Sequence, residues 1–142
     1  MKKSVIFFIA VVYIISIVVV TFFGLTVNME QFTIYMNRLE ITSYSSITSG
    51  EKYAFLAFDD NDSDNNSIFV DYITGPDNAT YPERIKFSLV NATYTDSEGN
   101  VTVFAEVHQN GEVVFYQRRT VRVVITTTDG SNLTDTMTIR CY

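Results

Sequence analysis

The runs Val121-Arg122-Val123-Val124-Ile125-Thr126-Thr127, Thr128-Asp129-Gly130-Ser131 and Thr134-Asp135-Thr136-Met137-Thr138-Ile139-Arg140 decide the fold class. Val, Ile and Thr branch at Cβ, which restricts their side chains in a helix and suits the pleated surface of a strand. In the last run Thr136, Thr138 and Arg140 alternate with Met137 and Ile139, so the two sets fall on opposite faces of a strand. Asp129-Gly130 between the runs predicts a tight turn and therefore a hairpin.

The same grammar continues upstream. Asn110-Gly111 separates Val101 to Val107 from Val113 to Tyr116. Asn-Gly accepts positive φ at both central positions of a type I′ turn, so a second hairpin is expected there. Val101, Val103, Ala105 and Val107 are expected on the inward face. Glu98-Gly99-Asn100 reads as a turn. Arg84 to Val90 places Ile85, Phe87 and Leu89 opposite Lys86 and Ser88, the pattern of a half-buried strand. Further strands are expected at Phe32 to Thr42, Glu51 to Phe58 and Ser67 to Thr74, the last with Ile68, Val70 and Tyr72 on one face. Pro76-Asp77 and Pro82 mark breaks. About eight short strands at this spacing predict an all-β antiparallel sandwich, with a small barrel as the alternative.

Ahead of this body stands a different kind of segment. Ser4 to Met29 carries no charge, and IFFIAVVYIISIVVVTFFGL occupies residues 6–25. A helix needs about 20 apolar residues to cross the hydrocarbon core of a bilayer. Val5, Phe7, Phe8, Ile14, Ile15, Val19, Phe22 and Phe23 are the expected lipid-facing anchors. Cleavable signals have apolar cores of about 7–15 residues ending in small residues. Here the run is longer and ends Thr21-Phe22-Phe23-Gly24-Leu25-Thr26, so an uncleaved signal-anchor is expected. Lys2 and Lys3 precede it and predict a cytoplasmic N-terminus. The expected organisation is a cytoplasmic stub at residues 1–3, a membrane helix at 4–27 and an extracytoplasmic domain at 28–142. The short interval Thr26 to Gln31 should hold that domain close to the bilayer.

All 16 acidic residues follow the apolar run, with eight of the ten basic ones, so the outer part carries a net charge of −8. That excludes nucleic acid as an expected partner, since phosphate binding needs a basic face. Arg118 and Arg122 are expected to share a strand face with solvent. Cys141 is the one cysteine, so no internal disulfide forms; it is expected to be a small buried hydrophobe on the last strand. Tyr44, Tyr53, Tyr72, Tyr81, Tyr94 and Tyr116 show no spacing that gathers them and are expected in the core and its rim.

Three segments resemble a bacterial immunoglobulin-like domain of the group 2 type. Pro76-Asp77-Asn78-Ala79-Thr80 with Arg84-Ile85-Lys86-Phe87-Ser88 is similar to the family's proline-led turn and following strand. Val107-His108-Gln109-Asn110-Gly111-Glu112-Val113-Val114 is similar to its central hairpin. Val121 to Ser131 with Met137-Thr138-Ile139 resembles its closing hairpin. The resemblance covers roughly 65 residues. The family's usual Trp is Phe87 here, and Arg118-Arg119-Thr120 stand where a Gly is usual. The resemblance implies an immunoglobulin-like sandwich of about 7–8 strands serving as an interaction or spacer module on a bacterial surface. It brings no catalytic residues.

Chemistry-bearing motifs are few. His108, the one histidine, sits beside a turn, and a zinc site needs two or three further ligands. Asp59-Asp60-Asn61-Asp62-Ser63-Asp64-Asn65-Asn66 is the one candidate cation loop. Asp60, Asp62 and Asp64 alternate, and Asp71 falls where an EF-hand places its last ligand. The loop lacks the Gly at its sixth position, and its flanks read as strands. A site here would be weak, with a dissociation constant of roughly 10⁻⁴ to 10⁻³ M for Ca²⁺. Asn61, Asn65, Asn78, Asn91, Asn100 and Asn132 head Asn-x-Ser/Thr sequons, which bear glycans only in a host that glycosylates them. The expected function is non-enzymatic: a membrane-anchored module for contact with an envelope protein or polysaccharide, with adhesion, spacer and accessory-subunit roles all open. A Ca²⁺-dependent adhesion or sensor domain is the alternative. No cofactor and no small-molecule substrate are expected.

Overall fold

The computed structural model describes residues 3–26, 32–61 and 66–142, with the backbone alone at residues 22–26. The chain divides into two compact units, residues 1–32 and 33–142.

The first unit holds the helix α1 (Lys3–Thr26). At 1.5 Å rise per residue its length is about 36 Å, enough to cross a hydrocarbon core of about 30 Å. Apolar side chains are exposed all around it, Val5, Phe7, Phe8, Ile14, Ile15 and Val19 among them. Phe22 and Phe23 lie on the helix, and their side chains fall outside the described residues. Two polar side chains are satisfied within the helix: Ser16 Oγ donates to the Val12 carbonyl (2.9 Å) and Thr21 Oγ1 to the Ile17 carbonyl (2.8 Å). A hydroxyl bonded back to its own helix adds little to the cost of immersion in lipid.

The second unit is built of strands: β1 (Arg38–Ile41), β2 (Ser46–Thr48), β3 (Glu51–Leu56), β4 (Ser67–Phe69), β5 (Tyr72–Gly75), β6 (Ile85–Val90), β7 (Thr93–Thr95), β8 (Val101–Val103), β9 (Ala105–Val107), β10 (Glu112–Phe115), β11 (Thr120–Thr127) and β12 (Thr134–Cys141). The largest sheet has the order β2-β3-β12-β11-β6, the next β4-β10-β9, and β1-β5 and β7-β8 are two-stranded. Inward residues of the five-stranded sheet (Ala54, Phe87, Val121, Val123, Ile125, Met137, Ile139) share one core with Ile41, Val70, Ala105, Val113 and Phe115. Opposed sheets around a single apolar layer are consistent with a β-sandwich.

Among the described residues, twelve short strands replace the expected eight or so, and one pairing is parallel: β12 runs alongside β3, with Ile139 opposite Ala54. The expected strand over residues 67–74 breaks at Val70-Asp71 because its two halves pair differently, β4 with β10 and β5 with β1. The expected strand over residues 101–107 breaks at Phe104. Val101 (68% exposed) and Val103 (43%) turn outward, while consecutive Phe104 and Ala105 are both buried. The physical reason is a hairpin absent from the expectation: β8 pairs with β7, and only β9 belongs to the three-stranded sheet. The first strand is also shorter than expected, starting at Arg38.

Turn chemistry is redistributed as well. Ser49 (φ 54°) and Gly50 (φ 83°) both lie in the left-handed region and join β2 to β3, so this two-residue turn has the I′ character expected of Asn110-Gly111. At Asn110-Gly111 only Gly111 has positive φ (87°). The Gly111 N–H donates to the His108 carbonyl (3.0 Å) and the His108 N–H to the Glu112 carbonyl (2.8 Å), a three-residue loop with a glycine bulge. Asp129-Gly130 is likewise no two-residue turn; residues 128–133 form a longer loop, closed by the Thr127 N–H to the Leu133 carbonyl (2.9 Å).

Candidate functional site

The outward face of the five-stranded sheet gathers aromatic and basic side chains. Strand alternation sends Ala54 into the core and Glu51, Tyr53 and Phe55 to the other side of β3. On β12 it buries Met137 and Ile139 and turns Thr136, Thr138 and Arg140 outward, as the sequence predicts. The parallel register then sets Thr138 opposite Tyr53 and Arg140 opposite Phe55. β11 adds Arg122 beside Thr138, and β6 adds Lys86.

Glu51 organises this face. Its Oε2 accepts a hydrogen bond from the Tyr53 hydroxyl (2.8 Å), and its Oε1 pairs with Arg122 (3.3 Å). The bond to Glu51 is the largest cause raising the Tyr53 pKa above the ordinary phenol value. The phenol therefore stays protonated, tethered by its hydroxyl. The Arg140 guanidinium lies 5.1 Å from the centre of that ring, within cation–π range. Ser46, Thr48, Tyr53, Phe55 and Arg140 line a shallow open pocket of about 150 Å³. Such a set offers an aromatic plane, two hydroxyls and a fixed positive fork.

The residues of the expected cation loop are treated differently. Asp62 and Asp64 lie outside the described residues. Asp60 is exposed and ion-paired with Arg118. Asp71, also exposed, is held by its backbone: its N–H donates to Ser43 Oγ (2.9 Å) and its carbonyl accepts from Thr42 (2.9 Å). The base of the loop is closed by buried Asn66, whose side chain accepts from the Asp59 N–H (2.7 Å) and donates to the Asp59 carbonyl (3.0 Å). Among the described residues no three His, Cys, Asp or Glu side chains converge as a metal site.

The three arginines disperse. Arg118 precedes β11 and so does not share a strand face with Arg122. Besides Asp60 it meets the Phe58 ring at 5.6 Å. Arg119 lies over Tyr94 at 4.1 Å. His108 is exposed beside the β9–β10 turn. Cys141 is buried, as expected, and burial pushes its thiol pKa up. The described sequon residues Asn61, Asn78, Asn91, Asn100 and Asn132 are all exposed.

The aromatic-basic face was missed in the sequence. Tyr53 and Phe55 visibly share one side of a strand, but nothing local places Arg140, 85 positions beyond Phe55 in the chain, beside them. The chain matches no protein-family model, no curated protein and no solved structure.

Proposed function

We propose that this chain is a membrane-anchored, extracytoplasmic immunoglobulin-like module of the bacterial group 2 kind, acting by contact rather than by chemistry. The supporting observation is the strand pairing. An immunoglobulin constant-type sandwich has one sheet ABED and another CFG. Taking β1 as A, β4 and β5 together as B, β6 as C, β9 as D, β10 as E, β11 as F and β12 as G reproduces A–B, B–E, E–D, C–F and F–G adjacency. Of the strands left over, β3 joins the second sheet and runs parallel to G. It carries half of the aromatic-basic face.

The anchor reading is supported by α1, long and apolar enough to cross a membrane. Lys2 and Lys3 favour a cytoplasmic N-terminus by the positive-inside rule. The outer face then meets an envelope protein or polysaccharide. Two measurements test the reading. Protease added to intact cells should digest residues 33–142 while spheroplast-protected stubs retain the helix. Cross-linking in intact membranes should capture a specific envelope component. A β-body protected on the cytoplasmic side would overturn the proposal.

A further inference from the structure

We propose that the pocket formed by Ser46, Thr48, Tyr53, Phe55 and Arg140 binds a carboxylate-bearing sugar of an acidic polysaccharide. The inference rests on the module's role in envelope contact and names the ligand class of its face.

Charge is the first argument. The chain beyond the helix carries −8, yet this sheet face presents Arg122, Arg140 and Lys86 against the single carboxylate of Glu51. Glu51 is already engaged by Arg122 and Tyr53. Arg140 has no carboxylate partner among the described residues and lies over the Tyr53 ring. A guanidinium exposed beside an aromatic plane matches a planar carboxylate in two parallel hydrogen bonds.

Shape is the second argument. Tyr53 and Phe55 lie two apart on one strand face, and Phe55 is 45% exposed. Together they make an apolar plate with hydroxyls at its edge, from Ser46 opposite Tyr53 and from Thr48 opposite Glu51. A sugar ring has an apolar C–H face and a hydroxyl rim, which this pattern complements.

Placement selects sugar over peptide. An extended peptide is captured by main-chain bonds along a sheet edge. The Tyr53, Phe55 and Arg140 side chains project from the face of β3 and β12, out of the plane in which main-chain bonds run along the β2 edge. A ligand seated on this plate is met by those side chains.

The test uses the full chain in detergent micelles and polygalacturonate as the probe, followed by affinity electrophoresis. Polygalacturonate should bind, and neutral dextran and polyglutamate should not. Arg140→Ala and Tyr53→Ala should each weaken binding about tenfold or more, the scale of one charge-assisted hydrogen bond. Arg38→Ala, on β1 away from this sheet, should leave it unchanged. Unchanged thermal unfolding of the variants checks that they fold. Failure to bind polygalacturonate, equal binding of polyglutamate, or binding indifferent to Arg140→Ala would each overturn the proposal. The broader reading fails separately, by the absence of any cross-linked partner in intact membranes.

Discussion

The carboxylate of Asp129 accepts the backbone N–H of Met36 at 2.7 Å, joining two points 93 residues apart. Asp129 stands in the loop between β11 and β12, and Met36 is a buried residue just ahead of β1. The same carboxylate accepts the Ser131 N–H (3.0 Å) and hydroxyl (2.6 Å). The side chain thus shapes its own loop and holds down the entering chain.

An acid-dependent stability follows. Burial by itself raises the Asp129 pKa, but the donors from Met36 and Ser131 outweigh it and hold the group at about 2, below the ordinary carboxylate range. A carboxyl whose folded pKa is depressed adds stability above its unfolded pKa of about 4, and loses it as pH falls toward the folded value. Asp135 and Asp96 are shifted the same way. We expect the denaturation midpoint to drop as pH is lowered from about 5 to about 2. Asp129→Asn should be less stable than the parent at pH 7 and converge with it at the acid end. A constant gap across that window would refute the assignment.

Ile41 of β1 is satisfied by side chains instead of a strand on its far side. Its N–H donates to Asp135 Oδ2 (2.7 Å), its carbonyl accepts from Lys52 Nζ (3.0 Å), and Lys52 and Asp135 pair at 2.5 Å. Lys52 belongs to β3 and Asp135 to β12, so this cluster ties β1 to the five-stranded sheet. With side chains only 15% and 21% exposed, removing one partner leaves the other poorly hydrated. Lys52→Met should cost about 2 kcal/mol. A double-mutant cycle with Asp135→Asn should give a coupling of at least about 1 kcal/mol. Strict additivity of the two substitutions would show that the pair is incidental.

Glycine turns of similar φ should respond unequally to alanine. A Cβ on Gly111 (φ 87°) would meet the Val70 carbonyl oxygen at 2.9 Å and the Phe87 ring at 3.3 Å, whereas one on Gly99 (φ 88°) would meet nothing within 4 Å. Gly99→Ala carries only the conformational cost, roughly 1–2 kcal/mol. Gly111→Ala must also displace the Val70–Gly111 backbone bond (2.8 Å), so its loss should be clearly larger. Thermal unfolding of the two variants side by side decides; equal shifts would mean that the approach to Val70 is not tight.

Lipid immersion of α1 is tested by a charge at its middle. Ile14→Arg should cost roughly 2.5–3.5 kcal/mol of insertion free energy. Alkaline carbonate washing should then release the variant from membranes while the parent stays in the pellet. Retention of both would argue against a spanning helix.

Much of the fold was legible because it is local. The uncharged run and the alternation at Ile85-Lys86-Phe87-Ser88-Leu89 and at Thr136 to Ile139 state helix and strand without reference to the rest of the chain. The breaks at Val70 and Phe104 were not legible. Each arises where one run of residues serves two partners, and the partners are distant in sequence. The type I′ turn at Ser49-Gly50 was hidden for a related reason: Ser at positive φ is disfavoured by itself and is held there by the β2–β3 pairing.

By itself, then, the sequence determined composition-driven matters: an apolar helix, a strand-rich acidic body, and the inward or outward sense of most strands, since side-chain direction depends only on backbone period. Tertiary structure alone decided which strands became neighbours. The parallel pairing of β3 with β12 puts Arg140 beside Phe55 and Tyr53, and the Lys52–Asp135 pair beneath Ile41. Those juxtapositions depend on register between segments some 80 positions apart, which is set by packing of the shared core and not by any local preference.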